Sequence, residues 1–302
     1  MSSPKGCFKI AGFGCLGVIL ILVVTTAVTA LVAKRSIEGQ VIEEYVSGTI
    51  RSDAAGGPTA PAGPGRVVLD FSDGEFILMS APEGKGVTIS ARYDSTSYRL
   101  VDELVTLDDG RWEYRIGFRR TIPMLQAIAM QIFGDAVDPK VEVFLPTDVE
   151  LELDLDVSQC GFSADLGGLW LSEADIHFDK GGFELDVSEP LREPMDRLVI
   201  HGSMGGFEAS GLGNASPAVL VIDCRMGGAE VDLRGEWLQD CDASVTVDMG
   251  GMALIVPRDI EVTGVTVTGS SQLREIIPRE MPMPVLRLDV TQNRGEVEVV
   301  RR

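Results

Sequence analysis

The stretch IDCRMGGAEVDL, Ile222 to Leu233, is answered a few residues later by VTVDMGGMALIV, Val245 to Val256. Aligned on the central pair, the same pattern occurs upstream as LDVSQCGFSADL from Leu155, IHFDKGGFELDV from Ile176 and IHGSMGGFEASG from Ile200. The pair falls at Cys160-Gly161, Gly181-Gly182, Gly205-Gly206, Gly227-Gly228 and Gly250-Gly251, in steps of 21, 24, 22 and 23 residues. A near-constant period of this length is the mark of stacked repeat architectures, in which each unit buries its apolar face only against its neighbours.

Parity within a unit separates inside from outside. Five residues before the pair stands Leu155, Ile176, Ile200, Ile222 or Val245, and just after it Phe162, Phe183, Phe207, Ala229 or Met252. Alternate residues of a strand face opposite ways, so these are core columns, with the glycines placed where the chain bends. The pattern predicts an all-β, single-stranded β-helix, a solenoid of roughly 22-residue repeats. A meander of Gly-Gly hairpins has the same parity, so parity leaves both open. Weaker echoes lie at Asp73-Gly74 and, about two periods beyond the last pair, at Arg294-Gly295.

Working outward, VVLDF from Val67, FILM from Phe76, VTISA from Val87 and VEVFL from Val141 alternate as half-buried strands do. Ile122, Leu125, Ile128, Ala129, Ile132 and Phe133 recur instead at three and four, predicting an inserted amphipathic helix over 121–134. Arg51 to Gly65, rich in Gly, Pro and Ala, reads as a linker, and a short helical continuation is expected between Ile37 and Tyr45. Residues 12–33, GFGCLGVILILVVTTAVTALVA, carry no charge and are long enough to cross a bilayer as a helix. A cleaved signal peptide is the competing reading, but its apolar region is usually shorter. Lys5 and Lys9 on one flank nearly balance Lys34 and Arg35 on the other. The expected organisation is a cytoplasmic 1–11, a transmembrane helix 12–33, a juxtamembrane segment and linker 34–66, and an extracytoplasmic domain 67–302.

Twenty-six basic against 46 acidic residues, a net charge of −20, argue against a nucleic-acid partner, because phosphate binding needs a basic footprint. Cys7 and Cys15 belong to the anchor region, leaving Cys160, Cys224 and Cys241, an odd set without metal or redox spacing whose disulfide status stays open. No Gly-x-Ser-x-Gly, His-Glu-x-x-His or phosphate-cradling glycine loop occurs. The expectation is a protein that is not an enzyme and has no cofactor.

MGGAEVDLR from Met226, with VTVDMGGMALIVPRDIEV from Val245, resembles the C-terminal domain of LiaF-type cell-wall-antibiotic-response proteins. KVEVFLPTDV from Lys140 and the units after it resemble the adhesin-like proteins of the DUF4097 family. The resemblance covers about residues 140 to 262 and rests on structural glycines and strand residues, although Cys160 stands where the pattern has glycine. It implies a fold similar to a single-stranded β-helix and a bacterial envelope protein concerned with stress sensing or adhesion, with no catalytic residues to carry over; with the anchor at 12–33, the expected location is the inner (cytoplasmic) membrane, single-pass.

Three features are candidate sites. Four residues before the pairs, on the outward face, His177, His201 and Asp223 would form one column able to hold zinc or copper; the alternative is an exposed polar ladder. Glu184, Glu208 and Glu230 form a second outward column, a binding face or simply a solvated one. RWEYRIGFRR from Arg111 puts Trp112, Tyr114, Ile116 and Phe118 on one side and Arg111, Arg115 and Arg119 on the other, for internal ion pairs or anionic lipid. The function expected is an anchored extracytoplasmic scaffold in envelope stress sensing, its partners the bilayer and an envelope protein or glycan. The alternatives are a surface adhesin or glycan-binding module and, less favoured, a carbohydrate-active solenoid enzyme. Oligomeric state is not legible.

Overall fold

The computed structural model describes residues 41–48, 63–133, 137–267 and 284–302. The expected tail 1–11 and anchor 12–33 lie outside the described residues, as does the linker from 49 to 62. Among the described residues, no helix is long and apolar enough to cross a membrane.

Two compact units divide the chain. The smaller holds residues 41–43, Tyr93–Arg99 and Arg120–Asp138. In it, the nearly inaccessible Asp94 accepts hydrogen bonds from the Val41 and Thr96 amides and the Thr96 and Ser97 hydroxyls. Burial opposes ionisation of this carboxyl, but the donors outweigh it and hold its pKa below the usual range. The inserted helix is here as α1, Met124–Phe133. The stripe that defines its amphipathicity is largely exposed, Leu125 by 82% and Ile132 by 66%, while Met130 is buried.

The larger unit is built from strands. The expected helical continuation near Tyr45 is instead strand β1, Ile42–Gly48. The Tyr45 hydroxyl donates to Asp102 Oδ1 at 2.6 Å, and Tyr114 donates to the other oxygen at 2.6 Å. A tertiary clamp on a segment containing Ile42 and Val46 overrides weak helical propensity. Next come β2 (Gly65–Ser72), β3 (Glu75–Ser80), β4 (Thr88–Asp94), β5 (Tyr98–Thr106), β6 (Trp112–Arg120) and β7 (Lys140–Leu145). The repeat region supplies β8 (Leu151–Asp165), β9 (Leu171–Asp186), β10 (Arg197–Gly202), β11 (Gly205–Ser210), β12 (Val219–Asp232) and β13 (Cys241–Val256). Strands β14 (Glu261–Val267) and β15 (Val285–Arg301) follow.

Successive repeat units pair in parallel and in the register of the sequence alignment. Gly181 lies opposite Gly205, Gly205 opposite Gly227 and Gly227 opposite Gly250. The glycine pairs therefore bend strands that run on to the next layer and do not close hairpins. The inward column Ile116, Leu69, Leu155, Ile176, Ile200, Ile222, Val245 and Val290 is continuous across eight layers, and every member is at most 1% exposed. Burying a side chain of this size contributes roughly 1.5–3 kcal/mol. Beyond the bend, the rings of Phe162 and Phe183 are 5.3 Å apart and those of Phe183 and Phe207 5.7 Å.

Stacking order departs from chain order twice. The Asp73-Gly74 echo is a full layer: β2 and β3 sit between β6 and β7 on one side and β8 on the other. The residues that would join β6 directly to β7 are replaced by the excursion carrying α1. At the other end Gly295 faces Gly250, so an echo two periods away in sequence is one layer away in space.

Candidate functional site

The outward column expected at His177 is present in register. Asp156 faces His177, His177 faces His201, His201 faces Asp223, and Asp223 faces Thr246. The imidazole rings of His177 and His201 are 4.8 Å apart, the spacing of neighbouring strands. Repeat lengths of 24 and 22 do not disturb this alignment, because the difference is taken up in the turns at 187–196 and 211–218.

A groove of about 410 Å³ opens over the column, lined by Asp156, His177, Asp179, His201, Asp223 and Arg225 among others. Asp223 Oδ2 stands 3.8 Å from His201 Nδ1. Asp175, two residues before His177 and on the same face, places Oδ1 3.3 Å from His177 Nδ1. That oxygen is shut off from solvent and accepts no hydrogen bond. Asp175, His177 and His201 each bring one ligating atom into a cluster within 4.8 Å. Asp175 was not singled out from sequence, although its i−2 relation to His177 was a readable signal.

The groove is electrically uneven. Burial, with repulsion from Asp70, holds the Asp156 carboxyl above the ordinary range, an effect that His177 partly offsets. Asp179 is held low by the Ser203 hydroxyl against a smaller effect of burial, with help from Lys180, 3.2 Å away.

Glu184, Glu208 and Glu230 are in register on three consecutive layers and all exposed. Ser163 and Ala253 terminate the column. The basic strand is internally paired: Arg111 with Asp109 at 2.7 Å, Arg115 with Glu113, and Arg119 with Asp70. Its alternate residues Trp112, Tyr114, Ile116 and Phe118 are buried. Cys160, Cys224 and Cys241 are free thiols, and burial pushes each up to about 12.

No family model matches the chain, and no curated protein does. Among solved structures, a "putative cell adhesion protein" from Clostridium sporogenes is similar over 87% of this chain and 100% of that one, with 10% identity and a TM-score of 0.41. A "putative adhesin" from Bacteroides fragilis covers 87% of this chain and 98% of its own, with 8% identity and a TM-score of 0.36.

Proposed function

We propose that this chain is a membrane-anchored, extracytoplasmic binding scaffold of the bacterial envelope, whose stacked layers form a single-stranded β-helix and whose outward columns are its docking face. The observation that carries the reading is the register of Glu184, Glu208 and Glu230. Three exposed carboxylates repeated at the strand spacing make a rigid, evenly spaced row of acceptors. Rigid display lowers the entropy cost of binding an extended partner. Anchorage at 12–33 is supported by the length and apolarity of that run. The exposed Leu125 and Ile132 of α1 are compatible with a position near lipid. A role in envelope stress sensing comes from the LiaF-type and DUF4097 resemblance.

The chain binds rather than reacts in this reading, since Glu184, Glu208 and Glu230 are all exposed and not enclosed as tuned acids are. A second reading, a glycan-binding or adhesive module, is favoured by the hydroxyl and carboxylate lining of the groove at Asp179, Ser203 and Asp223. Photo-crosslinking in living membranes from position 208, with mass spectrometry of the adduct, separates the two. Capture of one integral membrane protein supports the sensor scaffold, and capture of envelope glycan supports the adhesive module. Adducts no different from those at Arg197, away from the column, contradict a docking face.

A further inference from the structure

We propose that Asp175, His177 and His201 form a binding site for a single divalent transition-metal cation of the zinc class. Adjacent parallel strands hold the two imidazoles directly opposite one another. The Asp175 carboxylate projects from the same face of β9, two residues from His177. Around tetrahedral zinc, with bonds of about 2.0–2.1 Å, neighbouring ligand atoms lie about 3.4 Å apart. The atoms here lie within 4.8 Å of one another, close enough that modest side-chain movement would bring them to that spacing. His177 and His201 are 51% and 37% exposed and have room for it.

A second observation points the same way. Asp175 Oδ1 is buried and accepts no hydrogen bond, although the side chain as a whole is 43% exposed, so this one oxygen lacks the donor or cation that a carboxylate oxygen shut off from water favours. The His177 Nδ1 atom stands 3.3 Å from it. A cation between that oxygen and the imidazoles satisfies it.

The donor set selects the metal. Two imidazoles and a carboxylate suit zinc, copper or nickel, whereas calcium and magnesium prefer all-oxygen shells. Asp223, 3.8 Å from His201 Nδ1, is placed to orient that ring from the outer shell. Asp156 and Asp179 line the same groove and add negative potential, with Arg225 a counter-charge in the same lining. Three protein ligands leave a fourth position open to the groove, where a water or a partner's donor group fits.

The test uses the full-length protein in detergent, stripped by chelator and titrated calorimetrically with zinc chloride. One equivalent should bind, and His177→Ala, His201→Ala and Asp175→Asn should each weaken it by tenfold or more, while Glu208→Ala on the neighbouring column leaves it unchanged. Each variant's circular dichroism and melting midpoint report whether it folds, and His201→Gln supplies a bulkier substitute if the alanine variant does not. The electron paramagnetic resonance of the copper-loaded wild type, which needs no variant, should show two coordinated nitrogens. No binding by the wild type, binding that survives loss of both histidines, or a copper spectrum with oxygen ligands only would overturn the site. None of these readouts depends on capture of a docking partner, so this site and the docking face stand or fall separately.

Discussion

The carbonyl oxygen of Gly227 occupies the space a Cβ on Gly250 would need, and Gly250 has φ +139°. The same overlap joins Gly205 to Gly227 one layer below. The second glycine of each pair is different: a Cβ at Gly228 would meet nothing within 4 Å, and one at Gly251 only grazes Glu296. One glycine of each pair is needed for the layers to approach, and the other is not.

That asymmetry is measurable. Gly227→Ala should destabilise the protein by about 2 kcal/mol or more, through close contact and an unfavourable φ together. Gly228→Ala should stay within about 0.5 kcal/mol of wild type. Denaturant melts of the two variants compare them directly, and equal losses would contradict the layer contact.

Ile200 lies between Ile176 and Ile222 in the innermost column. Ile200→Ala should cost about 2–5 kcal/mol, since parallel strands fixed on both sides limit collapse of the cavity. The check is the denaturation midpoint at unchanged m-value.

The glutamate column sets like charges on adjacent layers. Replacing Glu184, Glu208 and Glu230 together by glutamine should leave the melting temperature equal or higher at low ionic strength, with the difference shrinking in salt. A lower melting temperature would mean the carboxylates hold the fold together rather than tolerate it.

The three thiols, buried at Cys241 and half-buried at Cys160 and Cys224, predict an alkaline limit. Cys160, Cys224 and Cys241 are raised from 9.0 to about 12 in the folded protein. The folded state then binds more protons than the unfolded state above pH 9, so their contribution is intact below that value and is lost as pH rises toward 12. Melting temperature should fall over this range, less so when the three are replaced by alanine or valine. At neutral pH the buried Cys241 should resist alkylation until the protein unfolds, and Cys160 and Cys224 should react slowly.

Register, inward columns and the placement of α1 were legible because a period near 22 residues and a two-residue alternation both write themselves into side-chain type. The difference between the two glycines of a pair was not, since it depends on the carbonyl of the neighbouring layer. Nor was the insertion of β2 and β3 between β6 and β8, because stacking order is set by which edges remain open when the chain returns. Among site residues, His177, His201 and Asp223 fell in one column as the alignment required. Asp175 was passed over because the repeat has no acid at that position in later layers, where Val199 and Val221 stand. The helix expected between Ile37 and Tyr45 is strand from Ile42 onward, because the clamp on Tyr45, Asp102, is far along the chain.

The most direct test of the in-register stack is oxidative cross-linking of paired cysteines. Glu208→Cys with Glu230→Cys puts two thiols on facing residues of adjacent layers, about 5 Å apart at Cα and within disulfide reach. Ser210→Cys with Glu230→Cys moves one partner two residues along the same face, to about 8 Å and outside that reach. Oxidation with diamide, read by peptide mapping, should bridge the first pair and leave the second open. Bridging of the second pair at an equal or faster rate would contradict the register on which the outward columns depend.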